Sequence, residues 1–125
     1  MNPGTSPDNE HGSVDKLLLA DLRSLTSVDP SRFHRIVSLF LEAIAADLSL
    51  MRAAMAANDS ARLEELAHGL KGTSANMGAA RLAALCADME QACESEQCAL
   101  VEEQLRNIES EAAHVAAILT AEIAL

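Results

Sequence analysis

Four histidines, His11, His34, His68 and His114, carry most of the chemical potential of this chain. His11 lies in a tail-like stretch. His34 and His114 sit on helical segments among alanine and charged neighbours and read as solvated side chains. His68 stands apart. At about 100° per residue, with His68 at zero, the apolar or small residues Leu63, Leu66, Leu70, Thr73 and Met77 fall between roughly 140° and 220°. The core direction is therefore nearly opposite His68, and its imidazole must point at water. Ala61, Glu64, Glu65, Gly72 and Ala75 share its face, all within about 60°. Close to His68 that strip is almost bare, and Lys71 lies to one side one turn on.

Such a constellation suits phosphoryl transfer. The nucleophile must be exposed, largely uncharged near neutral pH and reachable by another protein. An unburied imidazole, whose ordinary pKa is about 6.5, meets these needs. Gly72 removes the side chain that would obstruct a partner, and Lys71 can offset phosphoryl charge without standing in the line of attack. Gly69 and Gly72 each disfavour a helix interior by about 1 kcal/mol relative to Ala, a cost an isolated bundle has no reason to carry. The alternative for Gly72 is a helix C-cap. Gly78 is the better-placed stop, because Ser74 and Met77 continue the apolar stripe.

Other chemistries fit less well. Cys86, Cys93 and Cys98 form no CxxC pair, and Cys86 and Cys93, seven residues apart on one apolar stripe, read as small core residues. Glu65–His68 and Glu111–His114 have the Glu-x-x-His spacing of carboxylate-bridged metal bundles, but the first pair aims outward, so no metal site is expected. No Gly-rich phosphate loop is present.

The elements that must position His68 are helical. Half of the 125 residues are apolar, mostly Leu and Ala, the only aromatic residues are Phe33 and Phe40, and strand formers never alternate over a useful length. Residues 1–12 collect Pro, Gly, Asn, Ser and Asp and read as a disordered linker or tail, leaving 13–125 as one domain. A first helix is expected over about 14–26, with Val14, Leu17, Leu18, Leu22 and Leu25 on one face. Asp29-Pro30 starts a second, running to about Ala57 with Phe33, Val37, Phe40, Ile44, Leu48, Met51 and Met55 in register. Asn58, Asp59 and Ser60 punctuate before the third helix, which carries His68. A fourth holds Leu82, Leu85, Cys86, Met89 and Cys93. After a break near Ser95, with Glu96 in the first turn, a last helix aligns Val101, Leu105, Ile108, Ala112, Val115 and Leu119. Short links make neighbours antiparallel. The expected fold is all-α, an up-down-up-down four-helix bundle with the N-terminal helix packed across one end. If the third and fourth helices turn near residue 77, the lean of side chains toward each N-terminus sets His68 opposite Glu90 or Gln91. Either can hydrogen-bond Nδ1 and leave Nε2 as the reacting nitrogen.

A net charge of −10 with nine Lys and Arg argues against nucleic-acid partners and against direct contact with anionic membranes. No apolar run reaches the ~20 residues of a membrane span and no signal peptide is apparent, so a cytoplasmic location is expected.

The stretch Ala67-His68-Gly69-Leu70-Lys71-Gly72-Thr73-Ser74-Ala75-Asn76-Met77-Gly78-Ala79 closely resembles the signature of the histidine-containing phosphotransfer (HPt) family: Ala-His, any residue, Leu-Lys-Gly, a small polar run, then Gly-Ala. Phe40, the Asn58-Asp59 turn, and Leu85-Cys86 before Met89-Glu90 are similar to the family pattern, so the resemblance spans about residues 14–123. It implies that His68 is the phosphoacceptor, that Lys71 and Gly72 belong to its site, and that a polar residue at the position of Glu90 orients the ring. Glu90 departs from the amide often found there; an anion can repel the phosphorylated state, and Gln91 is the alternative. The resemblance further implies receiver domains of response regulators or hybrid kinases as partners, helix-against-helix docking on the strip around His68, and no cofactor in this chain, Mg²⁺ residing in the receiver. A monomeric module is expected, either free-standing or, as the linker-like start favours, the C-terminal end of a hybrid sensor kinase. The dimerisation helices of sensor kinases carry an acid directly after the histidine and a proline soon after. Here Gly69 follows and no proline occurs beyond Pro30, so autokinase activity is not expected. A bundle that only mediates protein contacts is the rival from another class.

Overall fold

The computed structural model describes residues 14–25, 29–95 and 97–124, the side chains of Lys16, Leu17, Leu18, Leu25 and Cys98 excepted. Among the described residues five helices follow one another: α1 (Lys16–Leu25), α2 (Pro30–Ala56), α3 (Ser60–Asn76), α4 (Ala80–Glu94) and α5 (Cys98–Ile123). Helices α2 to α5 form an antiparallel ring in which each packs on its neighbours and α5 closes back on α2. The most extensive packing is between α3 and α4.

Local chemistry explains the boundaries. The Asp29 carboxylate accepts from the Ser31 amide at 3.2 Å, and Pro30 opens α2 where a missing N–H costs nothing. Asn58, at φ 55°, ends α2, with the Asp59 amide donating to the Ala54 carbonyl at 2.9 Å and the Asn58 amide to Met55 at 3.1 Å. Asp59 then caps α3 through the Arg62 amide at 3.0 Å. The α3–α4 turn repeats the device with glycine: Gly78 takes φ 75°, the Ala79 amide donates to Ser74 at 2.8 Å and the Gly78 amide to Ala75 at 3.1 Å.

The apolar stripes meet at the centre of the ring. Val37, Met51, Leu70, Leu82, Cys86, Met89, Leu105, Ile108, Val115 and Leu119 are fully buried, while Leu48, Met55 and Leu85 pack at the margin. Cys86 and Cys93 are free thiols in this core, as their spacing indicates. Across one end of the ring lies α1. The Asp15 amide donates to the Gly78 carbonyl at 2.7 Å, Arg23 pairs with Glu122 at 2.8 Å, and its guanidinium sits 4.2 Å from the Phe33 ring centre. The first helix begins two residues later than the periodicity indicates: Val14 and Asp15 precede α1, and Leu19, absent from the expected stripe, is buried, as is Val14. The expected roles of Leu17, Leu18 and Leu25, the tail at 1–12 and the first-turn acid Glu96 fall outside the described residues.

Gly72 lies inside α3, four residues before its end, and a Cβ built on it or on Gly69 meets nothing within 4 Å. The helix stop is Gly78, so the C-cap alternative for Gly72 does not hold. Replacing Gly72 with Ala should therefore stabilise the protein by about 0.5–1 kcal/mol, while Gly78→Ala should destabilise it by about 1 kcal/mol through its left-handed backbone. Thermal denaturation of both variants checks this; equal shifts of one sign would contradict the two backbone assignments.

Candidate functional site

Helix α3 presents His68 outward, with 71% of its side chain exposed. Leu66, Ala67 and Leu70 behind it are buried in the core and fix the rotation of the helix about its axis. Ala61, Glu65, Gly72 and Ala75 are exposed around the imidazole, and Glu64 is half-buried toward α4. The strip beside His68 is thus open along the α3 surface. Thr73 turns its hydroxyl back to the Gly69 carbonyl at 3.1 Å, which keeps that polar group off the strip.

Across the α3–α4 groove stands Glu90, only 16% exposed. One carboxylate oxygen, Oε2, lies 3.1 Å from His68 Nδ1, and the other, Oε1, lies 2.7 Å from Lys71 Nζ. The three side chains form one polar row: imidazole, carboxylate, ammonium. The Lys71 ammonium holds the Glu90 carboxyl below the usual carboxylate range against the opposing effect of burial, and the His68 contact adds to this. A carboxylate only accepts, so its contact with Nδ1 requires a proton on that nitrogen and leaves the lone pair on Nε2.

Of the two residues expected opposite His68, only Glu90 meets it. Gln91 is exposed and borders a cleft with Asp88, Ser95, Leu100 and Gln104 on the α5 side. One residue along α4 rotates a side chain by about 100°, which carries Gln91 off the α3 groove. Lys71 is not free to one side of His68 but engaged with Glu90. Two further groups border the row without having been singled out by sequence. Glu94, one turn after Glu90, lies within hydrogen-bonding reach of Glu64, and that contact, burial and mutual repulsion push the Glu64 carboxyl up, toward the protonated form the contact requires. Asp47 on α2 lies close enough to act on Cys86, beneath Glu90. The i,i+4 spacing of Glu90 and Glu94 was the available signal for the first; nothing local marked the second.

The other histidines stand elsewhere. His34 and His114 are exposed. Glu111 is buried, with Arg81 Nε 3.5 Å away and His114 Nδ1 3.9 Å away. No cluster of three His, Cys, Asp or Glu side chains suited to a metal occurs among the described residues. No helix among them is long and apolar enough to cross a membrane.

The family model of the Hpt domain matches residues 35–121, and the chain belongs to this family. Two solved structures are similar to it throughout. Histidine-containing phosphotransfer protein B from Pseudomonas aeruginosa PAO1 superposes with a TM-score of 0.81 at 27% identity, over 91% of this chain and 96% of that one. A histidine-containing phosphotransfer protein from maize gives the same TM-score at 21% identity, over 92% of each chain, and shows the likeness of fold. A search of curated proteins finds no match. The chain is a histidine phosphocarrier module of the phosphorelay type.

Because the Glu90 carboxyl is held below its ordinary value of 4.5, the row contributes stability that is complete above that pH. The contribution is lost as pH falls through the lower folded-state value. The melting temperature of the wild type should exceed that of Glu90→Gln at about pH 5, and the margin should close as the pH falls below 4.5 through the lower folded-state value. A margin independent of pH would show that the charge on Glu90 contributes nothing to the fold.

Proposed function

We propose that His68 is the phosphoacceptor: it takes a phosphoryl group from the aspartate of one receiver domain and passes it to the aspartate of another. The observation that carries this reading is the exposed imidazole whose Nδ1 is engaged by Glu90, set on a glycine-opened strip of an Hpt domain. Nε2 is then the attacking atom, and the surface around it admits a receiver's active-site loops. The acids and Mg²⁺ that activate the aspartyl phosphate belong to the receiver, so the chain itself needs neither cofactor nor nucleotide. The docking surface comprises Ala61, Glu64, Glu65, Gly72 and Ala75, and Lys71 offsets charge as the phosphoryl group arrives. The module acts as a monomer in the cytoplasm without direct membrane contact. It serves at the C-terminal end of a hybrid sensor kinase, a placement supported by the linker-like composition of residues 1–12.

Incubation with a panel of phosphorylated receivers tests this directly. Label should appear on the chain as an acid-labile, alkali-stable adduct, and His68→Gln should abolish it with helical content unchanged, because the side chain lies away from the core. ATP and Mg²⁺ alone should leave the chain unlabelled. Label persisting on His68→Gln would move the site to another histidine.

Gly72 gives a second test in which stability and function part company. Gly72→Gln adds a long side chain one turn from His68 while improving helix propensity. Transfer from a receiver should fall by at least about tenfold, roughly 1.4 kcal/mol in the barrier, although the protein melts higher. Normal transfer by this variant would remove the bare strip from the docking surface.

A further inference from the structure

Resting on the carrier reading above, we propose that Glu90 is a positioning residue that retains the Nδ1 proton of His68 throughout phosphoryl transfer, so that the ring always leaves phosphorus as neutral imidazole. A side chain that merely orients the ring needs only an acceptor atom. Glutamate supplies more, because it brings a full negative charge 3.1 Å from Nδ1. A glutamine at this position can turn its amide to donate as well as accept, and so tolerates either form of the ring. A carboxylate tolerates one.

The chemistry gives that distinction a consequence. On loading, the Nε2 lone pair forms the N–P bond while the P–O bond of the aspartyl phosphate breaks and leaves its pair on the receiver carboxylate. The Nδ1 proton stays, and the ring becomes a phosphoimidazolium whose positive charge faces Glu90. On unloading, the second receiver's carboxylate forms the O–P bond and the N–P pair returns to Nε2. With Nδ1 protonated the departing group is neutral imidazole; without that proton it would be imidazolate, a far stronger base and a poorer leaving group. Retention of one proton therefore favours transfer in both directions and equally exposes the adduct to water.

The surroundings keep Glu90 suited to this. Lys71, 2.7 Å from its other oxygen, maintains the ionised form. The Cys86 thiol behind it is pushed up to about 12 by burial and by the nearby carboxylates, so it stays neutral and does not compete. Glu64 on α3 and Glu94 on α4 face the same groove, while Asp47 on α2 acts on Cys86 behind it. The Glu64–Glu94 contact favours the protonated form of Glu64, Arg62 on α3 acts on Asp47, and Lys71 is the cation held within the row.

The test uses the intact chain and phosphoramidate as a small phosphoryl donor, so no receiver need be known. His68 is loaded in the wild type, Glu90→Gln and Glu90→Ala, and circular dichroism confirms folding. Nitrogen-15 NMR of the phosphorylated ring then follows Nδ1 protonation against pH, and the hydrolytic half-life is measured in parallel. The wild-type ring should keep its proton to a pH at least about one unit higher than Glu90→Gln. Near pH 8 the half-life should lengthen about tenfold in Glu90→Gln, one pH unit corresponding to tenfold in the protonated fraction. If Glu90→Gln matches wild type in both titration and lifetime while Glu90→Ala differs, Glu90 only orients the ring and the proposal falls, with the carrier reading intact. If neither phosphoramidate nor phosphorylated receivers load His68 in the wild type, the carrier reading itself fails.

Discussion

The packing of α3 on α4 governs everything that happens at His68. The turn at Gly78 returns the chain antiparallel, the Ala79 amide ties the start of α4 to Ser74, and the Asp15 amide fastens the same turn to the segment before α1. Leu66, Leu70, Leu82 and Met89 then fill the space behind the two helices and hold their faces in a single rotation. The result is a groove in which residues more than twenty positions apart meet at hydrogen-bond distance. A slip of one residue along α4 would set Gln91 or Met89 where Glu90 stands.

Helix α3 combines two opposing demands. Its buried face must be apolar enough to hold the bundle, and its outer face must be empty enough for another protein to approach. Gly69 and Gly72 meet the second demand at a cost of about 1 kcal/mol each in helix stability, which the buried side chains on the opposite face offset. Asp59 at one end and Gly78 at the other confine the helix despite its weakened middle. The opening on the strip is therefore a property of the helix itself rather than of a loop that must be held aside.

Charge around the site is arranged with similar economy. In a chain of net charge −10, the side chain that engages the reactive ring is a carboxylate, and Lys71 beside it keeps that carboxylate ionised. The neighbouring Glu64 and Glu94 carboxyls lie close together, which favours the protonated form of Glu64. Away from this groove, ion pairs such as Arg52–Glu109 and Arg23–Glu122 lie on the surface between helices and add little to stability.

Local chemistry written in the chain was enough to determine the existence of the helices, the caps of α2 and α3 and the outward aim of His68. Apolar spacing of three and four, Asp29-Pro30, Asn58-Asp59 and Gly78 are signals that act within a few residues, so they are legible without knowledge of the fold. The same holds for the bare strip, since a wheel drawn on α3 needs no partner helix. The start of α1 was less legible: Val14 is buried by contact with the bundle end rather than by helical periodicity, and periodicity alone drew it into the helix. The choice between Glu90 and Gln91 belonged to tertiary structure, because it depends on how far α4 is rotated about its axis, and that rotation is set by core side chains from all four helices. So did the engagement of Lys71, the Glu64–Glu94 contact and the approach of Asp47. A sequence shows which charges exist, whereas their pairing depends on distances of a few ångströms that exist only once the helices have packed.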